Sequence, residues 1–180
     1  MTAAEKINLV TMSAAEQRAC IGRKIGTSRW VTIDQDMIDR FGSVTLDPDP
    51  MHVDPEWSRQ FSPFGHTLAF GFLTISLLTH LHHDILNYDR HGHALTGGYP
   101  LNYGFDRLRL ISPVKVNSRV RGHFKLLDVR DRGPGEVVHE TAAEIEIEGE
   151  PKPALYAEWL GMWVTQPGHE RIQRARAAAQ

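Results

Sequence analysis

The sequence predicts an α+β fold in which an antiparallel sheet follows, and packs around, one long buried helix. Two observations carry this. Residues 67–81 are apolar on nearly every side, with only small hydroxyls interleaved, the signature of a helix buried all round. The second half then alternates with a period of two, Ala143, Ile145 and Ile147 opposing Glu144, Glu146 and Glu148, as in a strand with one face in the core and one in solvent. Helix first and strands afterwards argues against a βαβ series.

The elements follow in chain order. Residues 1–27 carry no sustained period and read as an N-terminal extension. Trp30-Val31-Thr32-Ile33 makes a short strand, and Asp34 caps a helix whose Met37, Ile38 and Phe41 form one stripe. Residues 46–56 hold three prolines in eleven positions, which exclude a long helix or a central strand and predict an ordered loop. Asp54-Pro55 starts a short helix through about Gln60, because aspartate caps and proline suits the first helical position. The buried helix ends near Leu81, and polar residues 82–98 form a long connection. Strands at 99–111, 118–130, 136–148 and 154–166 are separated by Pro- and Gly-containing turns and pair as meander neighbours. Residues 28–166 make a single domain, and the Arg- and Ala-rich tail 167–180 a frayed surface helix.

Composition narrows the function classes. A chain of 180 residues with 41% hydrophobic and 23% charged content is ordinary for one globular domain. A formal charge of -2 provides no broad basic field for nucleic acid or an anionic membrane. One cysteine, an N-terminus without a signal-peptide pattern and no transmembrane-length apolar run predict a cytoplasmic protein that works in water.

The chemistry-bearing candidates sit in the proline-rich loop. Asp47 and His52 are held five residues apart by a backbone restricted at Pro48 and Pro50, an arrangement suited to an acid–base pair that shares a water. The same residues are natural in other roles, Asp47 and Asp49 as turn-formers before proline and His52 as a surface or half-buried histidine. Gly71 lies at or near the start of the buried helix. Glycine there either presents unpaired N–H groups to an oxyanion or permits close approach of a strand. His80, His82, His83, His91 and His93 match no metal-ligand spacing and read as solvated loop histidines, so no metal site is expected. Arg107, Arg109, Lys115, Arg119 and Arg121 either meet phosphates or line a solvated strand face. Trp159, Met162 and Trp163 read as core or dimer-interface packing.

Taken together, Asp47-Pro48-Asp49-Pro50-Met51-His52, Val53-Asp54-Pro55-Glu56, the run from Pro63 to Thr74 and Asn102–Arg109 with Ser112-Pro113-Val114 resemble the MaoC-like dehydratase family. That family includes type 2 (R-specific) enoyl-CoA hydratases, and the likeness is greatest to its nodulation protein N-like branch. It covers about residues 28–165. The resemblance implies a hot-dog fold, a homodimer or larger assembly, and reversible syn hydration of trans-2-enoyl-CoA or carrier-protein thioesters. It implies Asp47 and His52 as the catalytic pair, Gly71 as the oxyanion donor, and Asp49, Phe70 and Arg109 at substrate-binding positions. No cofactor is expected beyond the coenzyme A of the substrate. Leu46, Asp49 and Phe70 depart from the family's Gly, Asn and His. The alternatives are a hot-dog acyl-CoA thioesterase and a non-catalytic acyl-CoA binding protein.

Overall fold

The computed structural model describes residues 7, 9, 12–86 and 98–179. Its elements are α1 (Ala14–Arg18), β1 (Lys24–Thr27), β2 (Val31–Thr32), α2 (Gln35–Thr45), α3 (Pro50–Val53), α4 (Pro55–Phe61), α5 (Gly71–Leu86), β3 (Gly98–Leu110), β4 (Arg119–Gly133), β5 (Glu136–Ile147), β6 (Leu155–Thr165) and α6 (Gln166–Ala178). The antiparallel sheet runs β1-β4-β5-β6-β3, with β2 paired to β4, around the central helix α5: this is the hot-dog fold. Ala143, Ile145 and Ile147 are all buried, as their alternation requires.

The helix supplies Leu73, Leu78, Leu81 and Ile85 to a core shared with Val120, Phe124, Leu126, Leu155 and Trp159. Close approach of helix and sheet depends on small residues. A Cβ at Gly122 would lie 3.1 Å from Leu81 Cβ, and one at Gly26 would collide with the Ile85 side chain. β1, within the stretch set apart above as an N-terminal extension, pairs with β4, and Ile7, Leu9 and Cys20 are buried in the same core. At the other end Thr165 caps α6, and Arg171 bonds to Glu136 at 2.6 Å, tying the tail helix to β5. Among the described residues no helix is long and apolar enough to cross a membrane.

Two expectations are corrected. The buried helix continues five residues past Leu81, because Ile85 falls four positions after it and extends the buried stripe. His80, His82 and His83 are therefore on the helix, while residues 87–97, with His91 and His93, lie outside the described residues. The four long strands also do not form a simple meander, since β3 pairs with β6 rather than β4. After β3 the chain breaks at Ser112-Pro113 and crosses in front of α5, where Val114 O accepts from Ala69 N–H at 2.8 Å and Val116 N–H donates to Thr67 O at 3.0 Å. That crossing delivers β4 to the far side of the sheet.

Candidate active site

Each short element of the loop is fixed by a cap. Asp34 Oδ1 accepts from Met37 N–H at 2.8 Å and starts α2, whose Ile38 and Gly42 are buried. The helix stops at Leu46, which takes the left-handed conformation at φ 58° and is 87% exposed. Glycine occupies that cap position without steric cost, whereas a side chain there costs about 1 kcal/mol or more. Leu46→Gly is therefore expected to stabilise the fold by about 1 kcal/mol, raising the thermal midpoint by about 2–4 °C. A midpoint unchanged or lowered in a melt would contradict the capping account.

Asp47 N–H donates to Gly42 O at 3.0 Å, and its Oδ1 accepts from Asp49 N–H at 3.2 Å, so the carboxylate closes a turn over Pro48. Asp49 in turn caps α3, its Oδ1 accepting from Met51 N–H at 2.9 Å, with Pro50 at the first helical position. Asparagine and aspartate serve this role equally. The aspartate at 49 thus keeps the local backbone, and no donor from its side chain is required there.

α3 presents His52. Its Nδ1 lies 2.8 Å from the Leu68 carbonyl, which can only accept, so Nδ1 carries the proton and the neutral ring keeps its lone pair on Nε2. The ring lies against Phe70, centroids 4.0 Å apart and planes inclined by 31°, and Phe70 packs in turn on Phe41 at 5.3 Å. The His52 carbonyl accepts from Gln35 Nε2 at 2.8 Å, and Gln35 Oε1 accepts from the buried Thr67 hydroxyl at 2.5 Å. Leu68 N–H closes the frame on Met51 O at 3.2 Å. Gln35 and Thr67 hold the imidazole in place. Nothing in the sequence pattern pointed to them.

Gly71 is the first residue of α5. The first amide to find a carbonyl one turn back is Thr74, bonded to Phe70 O at 3.1 Å, so the N–H groups of Gly71, Phe72 and Leu73 have no such partner. A Cβ on Gly71 would lie 2.5 Å from Leu110 Cδ1, so the glycine also makes room for β3.

The structure does not gather every expected residue. Asp47, His52 and the start of α5 belong to one neighbourhood, linked by the contacts of residues 47–52 with 67–70, yet Asp47 and His52 share no hydrogen bond. Phe70 is 4% exposed and stands behind His52, where it backs the imidazole. Among the described residues Arg109 bonds only to the neighbouring Leu108 carbonyl at 3.3 Å. It alternates with Leu108 and Leu110, so its side chain leaves the sheet on the face opposite Gly71. The remaining cations of that stretch are engaged: Arg107 with Glu158 at 3.7 Å, Lys115 with Glu150 at 3.8 Å, Arg119 with Glu148 at 2.8 Å and Arg121 with Glu146 at 2.6 Å. The Arg121 guanidinium, followed by His123, holds the Glu146 carboxyl below its usual range. Arg121 also lies over the Trp30 ring at 4.3 Å. His82, expected in solvent, packs between Phe124 and Trp159 with centroids 5.0 and 5.5 Å away. Among the described residues no group of three or more His, Cys, Asp or Glu side chains converges on one point.

A sheet around a central helix, with an Asp/His loop packed beside the helix start, defines a hot-dog protein. The chain belongs to the MaoC like domain family, which matches residues 16–149. It is 40% identical to nodulation protein N of Rhizobium meliloti over 151 residues, covering 84% of this chain and 91% of that protein. It is likewise 40% identical to 3-hydroxyacyl-thioester dehydratase Z of Mycobacterium tuberculosis over 152 residues, covering 84% and 96%. The fold matches the solved (R)-hydratase from A. caviae with a TM-score of 0.61 and 19% identity, over 78% of this chain and 94% of that one.

Proposed function

We propose that the chain catalyses reversible hydration of trans-2-enoyl thioesters to (R)-3-hydroxyacyl thioesters, on coenzyme A or a carrier protein, using Asp47, His52 and Gly71. The observation that carries this reading is the His52–Leu68 hydrogen bond, which leaves the lone pair on Nε2 and ties the imidazole to the segment that leads into α5. In the hydration direction His52 Nε2 takes a proton from water while the water oxygen bonds to carbon 3. The electron pair of the carbon–carbon double bond moves toward the thioester oxygen, where the Gly71 N–H and the positive end of the helix offset the developing charge. A proton held by the Asp47–His52 pair then goes to carbon 2 on the same face. One proton leaves the water and one reaches carbon 2, so the overall balance is one water added. Kinship to 3-hydroxyacyl-thioester dehydratase Z supports the substrate class.

The direct test follows loss of enoyl absorbance with crotonyl-CoA and longer enoyl-CoAs, and free thiol release in parallel. Hydration without thiol release is the expected result. Thiol release alone would transfer the chain to the thioesterases, and the absence of both activities would overturn the proposal.

The same reading includes assembly into a homodimer or larger oligomer. β3 ends the sheet as a thirteen-residue edge strand, and Leu101, Tyr103, Phe105, Leu110 and Ile111 along and beyond it are 39–52% exposed. A long apolar edge of this kind invites pairing with another chain. Phe105→Lys is expected to shift the particle toward the monomer mass in light scattering. A wild type that is already monomeric at micromolar concentration would defeat this part of the proposal.

A further inference from the structure

At the end of α5 opposite Gly71 there is a cavity of about 180 Å³ between the last helical turns and strands β3, β5 and β6. Its walls include Leu86, Leu101, Met162, Trp159 and Trp163, with His82 and His139 among them. A dry apolar cavity of about 150 Å³ suffices for a benzene-sized group, so this space holds a ring or a short stretch of chain.

The two histidines make the cavity chemically selective. His139 Nε2 lies 2.9 Å from Gln17 Oε1, and the Gln17 amide nitrogen donates to Leu9 O at 2.7 Å and Met12 O at 3.1 Å. That orientation makes Nε2–H the donor, leaving Nδ1 of His139 as an acceptor without a partner among the described residues. His82 Nε2 is buried and has no hydrogen-bond partner among the described residues. Burial pushes both imidazoles down to about 4, so both are neutral near pH 7. An acceptor unpaired among the described residues favours a ligand with a donor, and a neutral imidazole presents either a lone pair or an N–H. A hydroxyl meets both demands; a ketone cannot donate to His139.

Gly71 and His82 are eleven residues apart on one helix face, about 16 Å along the axis, the reach of a medium-length acyl chain. We propose that the cavity receives the far, hydroxyl-bearing end of the acyl chain, the hydroxyl donating to His139. The assignment of this ligand as an acyl chain rests on the enoyl-thioester reading of the site at the start of α5.

Because Trp159 and Trp163 line the cavity, intrinsic fluorescence reports its occupancy. The full chain is titrated with 10-hydroxydecanoic acid and with decanoic acid. Saturable quenching by both is expected, with the hydroxylated chain about tenfold tighter, the effect of one added hydrogen bond in a largely apolar cavity. His139→Phe should reduce that preference while decanoate still binds. No saturable quenching, or equal affinity of the two acids for the wild type, overturns the proposal, and the wild-type comparison stands even if a variant fails to fold. Crotonyl-CoA hydration with equal affinities would leave the proposed reaction standing and remove the cavity assignment. A hydroxyl preference without any enoyl-CoA hydration would confirm the pocket's selectivity and remove its link to the thioester site.

Discussion

His52→Ala is expected to lower kcat for enoyl-CoA hydration by about a hundredfold to ten-thousandfold, the range for removing a positioned general base. Asp47→Asn should fall in the same range. It is the cleaner variant, because the amide oxygen of asparagine can still accept from Asp49 N–H and hold the turn over Pro48. The double variant should be little worse than either single one, since two residues that act on one water do not contribute additively. His52 also packs on Phe70, so a thermal melt accompanies the kinetics. Activity within a few-fold of wild type in a folded Asp47→Asn protein would remove Asp47 from the mechanism.

Acid should destabilise the fold through His82 and His139. Burial lowers both to about 4 in the folded chain, against about 6.5 when unfolded. Between those values the unfolded state binds more protons, so stability is whole above about pH 6.5 and is lost as pH falls toward 4. Each site contributes on the order of 3 kcal/mol over that window. The thermal midpoint should therefore drop by about 10 °C or more from pH 7 to pH 4. His82→Leu removes one of the two sites, and its midpoint should fall less steeply over the same interval. Parallel curves for wild type and His82→Leu would show that His82 is not a source of the acid sensitivity.

The parts of the fold that were legible in the sequence are those written in neighbouring residues. Asp34 and Asp54 announce α2 and α4 because a cap and its amide lie within three positions. The alternation at 143–148 announces β5 because burial on one sheet face has a period of two. The end of α5 was misplaced for a related reason: histidines at 80, 82 and 83 look like a polar stop, while the stripe through Leu78, Leu81 and Ile85 runs on beneath them. Strand order was not legible. It depends on the crossing of residues 114–116 before α5, a contact between segments more than forty residues apart.

The loop around His52 divides in the same way. Spacing and proline placement marked Asp47, Asp49 and His52, and the matched stretches placed Gly71 with them. The sequence could not say what Asp49 does, which imidazole nitrogen is free, or that Phe70 lies behind His52. These depend on Leu68, Gln35 and Thr67, brought in from other segments. By itself, then, the sequence determined the central helix, through local patterns of turn and period, while its resemblance to known motifs gave the family and singled out candidate residues for the chemistry. Tertiary structure alone decided the strand order, the tautomer of His52 and the burial of His82, because each is set by a partner distant in the chain.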